Sequence, residues 1–174
     1  MSYHVYTTRG LVLSEKSVRE ADRIYTILTR NLGLVRATAL GVRKEPSKLR
    51  GNIEPFSLSS ISFVRGKEYW RITSAEMIKK IPTHLAISRP LVLIEKLVQG
   101  EAPNPELFDA VEEASLFCPE RGQEVSEPHD EMFEVRLVSQ ILLHLGYLER
   151  DSLDLDKKSL IKLINEGIQA SHLT

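Results

Sequence analysis

The sequence predicts an all-β half followed by an all-α half, and three observations carry that prediction. Residues before Ser74 alternate polar and apolar with the period of strands. Residues after it repeat apolar positions at helical spacing, and the charge changes sign between the halves. Residues 1–80 hold 15 Lys or Arg against 7 Asp or Glu, while residues 81–174 hold 8 against 17. The net charge of −1 conceals this split. With 174 residues, 42% of them hydrophobic, the chain is long enough for two small cores, read as domains over 1–80 and 81–174.

Five strands are expected in the first half. Tyr3 to Leu13 is rich in β-branched and aromatic residues, and a polar loop over Ser14 to Asp22 follows. Arg23 to Thr29 alternates, with Ile24, Thr26 and Leu28 on one face and Tyr25 and Ile27 on the other. Asn31-Leu32-Gly33 signals a tight turn, because Asn and Gly tolerate positive φ, and Leu34 to Leu40 is the returning strand. Phe56 to Val64 alternates again, Arg65-Gly66-Lys67 makes a hairpin turn, and Glu68 to Thr73 closes the set. So small a sheet avoids bare edges best by closing on itself, which gives a five-stranded OB-fold barrel. An SH3-like barrel is the nearest rival on pattern. The long connection from Gly41 to Glu54 favours the OB-fold, which commonly carries a helix there.

The second half reads as a small helical domain. Asn104-Pro105-Glu106 supplies an N-cap, a first-turn proline and an acidic first turn. Ser126 is expected to cap a longer helix in which Phe133, Leu137 and Ile141 recur every four residues beside Val138, Leu142 and Leu145. That broad apolar arc suits a central helix, with Gly146 placed to stop it. Lys157 to Ile164 forms the last amphipathic helix before Gly167.

No catalytic set stands out, and the protein is expected to catalyse no reaction. The nine glycines form neither G-x-G-x-x-G nor a P-loop. His4, His84, His129, His144 and His172 are dispersed without metal-ligand spacing, and His129-Asp130-Glu131 reads as the charged first turn of a helix. The single cysteine, Cys118, has no partner for an internal disulfide and no neighbouring base in sequence. No cofactor and no metal are expected. The start lacks the apolar run of a secretory signal, and no stretch approaches the roughly 20 apolar residues of a membrane span. A cytoplasmic location follows.

One local constellation does point to chemistry. The segment GVRKEPSKLRG packs Arg43, Lys44, Lys48 and Arg50 into a loop between strands, preceded by Arg36. Ser47 and the backbone amides near Gly41 and Gly51 add neutral donors for phosphate oxygens. The last hairpin contributes Arg65 and Lys67, with Arg71 beyond it on the face of Tyr69 and Thr73, opposite the core residues Trp70 and Ile72. A phosphate backbone needs repeated cations along a groove, not one exact ligand, and this half supplies them. Tyr25 and Tyr69 are the aromatics expected to be available for stacking bases, while Phe56, Phe63 and Trp70 read as internal. A basic loop that serves only solubility explains the same composition.

Four stretches, in order, resemble one family. Arg19 to Thr29 (READRIYTILT) resembles the RecO pattern in which Glu-x-Asp precedes an apolar second strand ending in Thr. Gly41 to Phe56 (GVRKEPSKLRGNIEPF) is similar to its signature of a Gly, a basic pair, Ser-basic, Arg-Gly and Pro-Phe. Gly100 to Val111 and Phe133 to Leu148 resemble two helix-bearing stretches of the family's second domain. The resemblance implies a recombination mediator of the RecF pathway of DNA repair, associated with the nucleoid. Such a protein binds single- and double-stranded DNA, anneals strands, contacts the tail of the single-strand DNA-binding protein, and acts with RecR to assist RecA loading. By position, Arg43, Lys44, Lys48 and Arg50 become its DNA contacts. Arg136 is a candidate for the acidic, apolar-ended partner tail, which needs a cation beside an apolar pocket. The sequence departs from the family at Arg19, where Gly is usual, and Glu149 to Asp156 leads into the last helix where many relatives carry a four-cysteine zinc module. Two other readings remain: a protein-interaction adaptor with a structural barrel, and a general RNA-binding OB protein.

Overall fold

A computed structural model of the chain describes residues 4–45, 47–82, 85–117 and 127–170. His84, Cys118, Ser126 and His172 lie outside the described residues, as do the side chains of His129, Asp130 and Glu131. The chain divides into two compact units, Met1–Ile81 with Gly100–Pro103, and Pro82–Gln99 with Asn104–Thr174.

The first unit is a closed barrel of β1 (Val5–Ser17), β2 (Arg23–Thr29), β3 (Gly33–Ala39), β4 (Ser57–Arg65) and β5 (Trp70–Lys80), in the order β1-β2-β3-β5-β4. Neighbouring strands are antiparallel except β3 and β5, which pair in parallel through Ala37 with Trp70 and Thr38 with Arg71. This is the predicted OB-type barrel. Its core gathers Val12, Tyr25, Ile27, Val35, Ile61, Phe63, Trp70 and Ile72, drawn from all five strands. Such burial of apolar area is the main force closing the sheet.

Two strands outrun their expected lengths. β1 continues past Leu13 to Ser17 where a polar loop was expected, and β5 continues past Ser74 to Lys80 where helical pattern was expected to begin. Both cross a register shift, between Val12 and Ser14 on β1 and opposite Ser62 and Phe63 for β5. A bulge of this kind breaks the apolar alternation while pairing carries on beyond it. The β3–β4 connection carries turns in place of the helix common in this fold. Its bonds from Lys44 N–H to Gly41 O, Ser47 to Lys44, Arg50 to Ser47 and Asn52 to Leu49 each span three residues. Gly41 and Gly51 sit at φ 63° and 80°, outside helical geometry. Gly33 closes the β2–β3 turn at φ 73°, and a Cβ there would lie 2.5 Å from the Ala102 carbonyl oxygen. Only glycine lets residues 100–103 pack so near, with the Gly100 carbonyl accepting the Leu34 N–H at 3.2 Å.

The second unit holds α1 (Leu85–Leu97), α2 (Pro105–Phe117), α3 (Glu127–His144) and α4 (Lys157–Ala170). α1 was not delimited from sequence, and Pro90 lies inside it. Asn104 caps α2 as expected: its Oδ1 accepts the Leu107 N–H at 3.0 Å, and its Nδ2 donates to the His144 carbonyl at 3.0 Å. α3 packs on α1, α2 and α4, the central position its apolar arc predicted. Gly146 at φ 81° ends it, with the Tyr147 N–H bonded to Leu142 O at 2.8 Å and the Gly146 N–H to Leu143 O at 3.0 Å. The segment expected to lead straight into the last helix contains a short 3-10 helix, Arg150–Asp154. α4 also runs through Gly167, where an added Cβ would meet Leu142 and Tyr147 only at ordinary contact distance.

Asp156 caps α4, accepting from Lys158 N–H at 3.1 Å, Ser159 N–H at 3.3 Å and Ser159 Oγ at 2.6 Å. These bonds, with Ser159 foremost, hold its carboxyl below the usual carboxylate range. A lowered folded pKa means the cap stabilises at neutral pH and loses that contribution as pH falls below about 4. Urea unfolding of Asp156→Ala should therefore differ from wild type at pH 7 and converge with it in acid.

Candidate nucleic-acid interface

The basic loop is held in place by the barrel. The Gly41 N–H donates to Asp22 Oδ1 at 2.7 Å, and the Arg43 N–H to the Ala21 carbonyl at 3.2 Å. These bonds fasten the β3–β4 connection to the β1–β2 loop, so its cations stand on a braced backbone. They also consume the Gly41 amide, which was expected to be free for phosphate. Ser47 Oγ accepts the Leu49 N–H at 3.3 Å and keeps its own proton to donate. Arg43, Lys44, Lys48 and Arg50 are all exposed, and none has an ion pair among the described residues.

Two recesses border this loop. One, of about 400 Å³, has walls of Arg23, Arg43 and Arg50 over a floor of Tyr25, Val42 and Ile53, with Gly51 and Glu54 at its side. The other is shallower and larger, about 740 Å³, and is lined by Lys44 and Ser47 together with Arg19 and Asp22. Arg23 itself is paired with Glu15, and that hydrogen bond is the main cause holding its guanidinium firmly protonated. Burial, reinforced by the Glu15 charge, pushes the Tyr25 phenol up to about 12. Tyr25 is only 1% exposed and belongs to the core, so the expectation that it stacks on bases is corrected.

The eight predicted cations do not form one cluster. Arg36 and Arg71 are exposed on the barrel wall. Arg71 lies beside Thr38 across the β3–β5 ladder, two residues along β3 from Arg36 on the same face. Arg65 ends β4 opposite Trp70, which pairs with Ala37 of β3 on its other side, and Lys67 lies in the turn between β4 and β5. Arg65 is already engaged: its guanidinium pairs with Glu101 and stands 4.7 Å from the Trp70 ring centre. Glu101 comes from beyond the barrel strands in sequence, which is why the reading of the hairpin alone missed it. Arg136 is exposed on α3 between buried Val135 and Leu137.

Sequence reasoning also overlooked residues. Arg19 and Arg23 join the loop cations at the recesses, and the signal was a charged residue at each end of the β1–β2 loop. At the hairpin end, His4 packs edge-on to Tyr6 at 4.4 Å, and Tyr6 to Trp70 at 5.2 Å, beside exposed Tyr69. Among the described residues, no group of three or more His, Cys, Asp or Glu is placed to hold a metal ion, and no helix is long and apolar enough to cross a membrane.

Comparison with known proteins places the barrel in a named group. Residues 1–81 match the family model described as Recombination protein O N terminal. The DNA repair protein RecO of Synechococcus sp. (strain JA-2-3B'a(2-13)) is 43% identical over 81 residues, covering 47% of this chain and 28% of the relative. That of Dehalococcoides mccartyi (strain ATCC BAA-2266 / KCTC 15142 / 195) is 34% identical over 112 residues, 60% of this chain and 44% of the relative. That of Trichodesmium erythraeum (strain IMS101) is 31% identical over 142 residues, 78% of this chain and 48% of the relative. The chain thus spans less than half the length of each.

Proposed function

The chain belongs to the RecO family through its N-terminal 81 residues, and from that premise we propose that its barrel binds DNA by neutralising phosphates, as part of a recombination mediator in DNA repair. The observation that carries this reading is the braced loop of exposed cations, Arg43, Lys44, Lys48 and Arg50, unpaired among the described residues, with Arg36 and Arg71 exposed on the barrel wall. Exposed guanidinium and ammonium groups contact phosphates in any sequence, so single- and double-stranded DNA are both ligands. Neutralising the repulsion between two strands on one surface lets complementary strands anneal, which fits assistance to RecA loading. Residues 1–80 supply the DNA-binding domain and residues 81–174 a helical domain for partners. Those partners are RecR and the acidic tail of the single-strand DNA-binding protein, the latter through Arg136.

An anisotropy titration with single-stranded DNA, duplex DNA and RNA of equal length tests the reading. Binding of both DNA forms supports it. Tight binding of RNA alone would move the protein to a different class, and binding of none would remove the barrel from nucleic-acid recognition.

A further inference from the structure

Resting on that reading, we infer that the recess between Arg43 and Arg50 is a phosphomonoester site that seats the phosphorylated end of a DNA strand. Charge balance is the first argument. Arg23 on its wall is neutralised by Glu15, and Glu54 at its side is held by Lys80 Nζ at 2.8 Å. Two guanidinium groups, Arg43 and Arg50, are left without a counter-charge among the described residues. A terminal phosphate carries roughly 1.5 to 2 negative charges at neutral pH, whereas each phosphate within a strand carries a single charge. Two unpaired arginines match the terminal group better.

Shape is the second argument. Tyr25, Val42 and Ile53, exposed by 1%, 4% and 2%, close the floor of a space of about 400 Å³. A strand running along the surface passes over such a recess, while a strand end can enter it. Gly51 leaves the side open, since a Cβ built there meets nothing within 4 Å. The third argument is a donor without an acceptor. Arg23 Nε is buried and has no hydrogen-bond partner among the described residues, although its Nη1 serves Glu15. Arginine forks hold phosphate oxygens in pairs, so Arg43 and Arg50, which both line the recess, would each supply a fork to the group. A free nucleotide carries the same phosphomonoester, and the experiment must separate the two sources.

Internally labelled oligonucleotides of about a dozen nucleotides, enough to cover one barrel, would be compared with a 5′-phosphate, a 3′-phosphate or hydroxyls at both ends. One phosphorylated end should bind about tenfold tighter than the hydroxyl form, as charge-assisted bonds to a terminal phosphate predict. Arg50→Ala and Arg43→Ala should each abolish that ratio. Lys48→Ala, outside the recess, should weaken all three oligonucleotides alike and preserve it. Adenosine monophosphate added as competitor should displace the phosphorylated oligonucleotide only weakly if the strand end is the ligand. Displacement at equal concentration would reassign the recess to free nucleotides and overturn the strand-end proposal. Equal affinity for all three ends, or a ratio that survives both arginine variants, would also overturn it. If no oligonucleotide binds at all, the DNA-binding reading fails. Amide shifts at Arg50 and Gly51 on titrating inorganic phosphate would then still support a phosphate site, and unmoved signals would remove it.

Discussion

Replacing Arg43, Lys44, Lys48 and Arg50 together by alanine is expected to weaken single-stranded DNA binding by roughly two to three orders of magnitude at about 0.1 M salt. Each cation that neutralises a phosphate releases condensed counterions, and for single strands each contact adds roughly 0.7 to the slope of log K against log salt. Removing four should lower that slope by roughly 3. The fold should survive. All four side chains are exposed and unpaired among the described residues, and the bonds that brace the loop run through the Gly41 and Arg43 backbone amides, which alanine retains. Surface changes of this kind usually shift stability by only about 0.5 kcal/mol each. Thermal unfolding beside the binding titration separates the two effects. Undiminished affinity in a folded quadruple variant would mean that the loop has been misassigned.

Phe63→Ala should have the largest effect on stability, a loss of about 3–5 kcal/mol. Phe63 is fully buried, sits opposite Ile72 across the β4–β5 ladder, and packs edge-on to Trp70 with ring centres 6.2 Å apart. β4 joins β1 to β5, so a cavity there loosens the strand on which closure depends. A typical domain has only about 5–15 kcal/mol in total, so much of the margin would be lost. Trp70 is the single tryptophan of the chain and lies in the barrel core, so its fluorescence in a urea titration reports the barrel directly. An unfolding midpoint within experimental scatter of wild type would show that the barrel core does not rest on this ring.

The features legible in the sequence are those set by local chemistry. β2 was read as Arg23–Thr29 because an uninterrupted alternation is flanked by polar residues on both sides. The α2 start was legible because Asn104 and Pro105 act within one turn. Features set by distant pairing were not. The extensions of β1 and β5 depend on partners across the barrel, and bulges break the alternation that would have announced them. For Tyr25, alternation separated two faces of β2, and only barrel closure decides which one points inward. The site divides in the same way. The loop cations could be named because charged residues in a turn-rich segment stay in water, whereas Arg65 meets Glu101, 36 residues away. The shallower recess likewise includes Gly41 and Asp22, whose hydrogen bond joins two loops 19 residues apart.

A direct test of phosphate neutralisation by the barrel is the salt dependence of single-stranded DNA affinity for the wild-type chain. With Arg36, Arg43, Lys44, Lys48, Arg50 and Arg71 engaged, the plot of log K against log salt should fall with a slope of roughly −4. A flat plot, with affinity unmoved as salt rises, would contradict it.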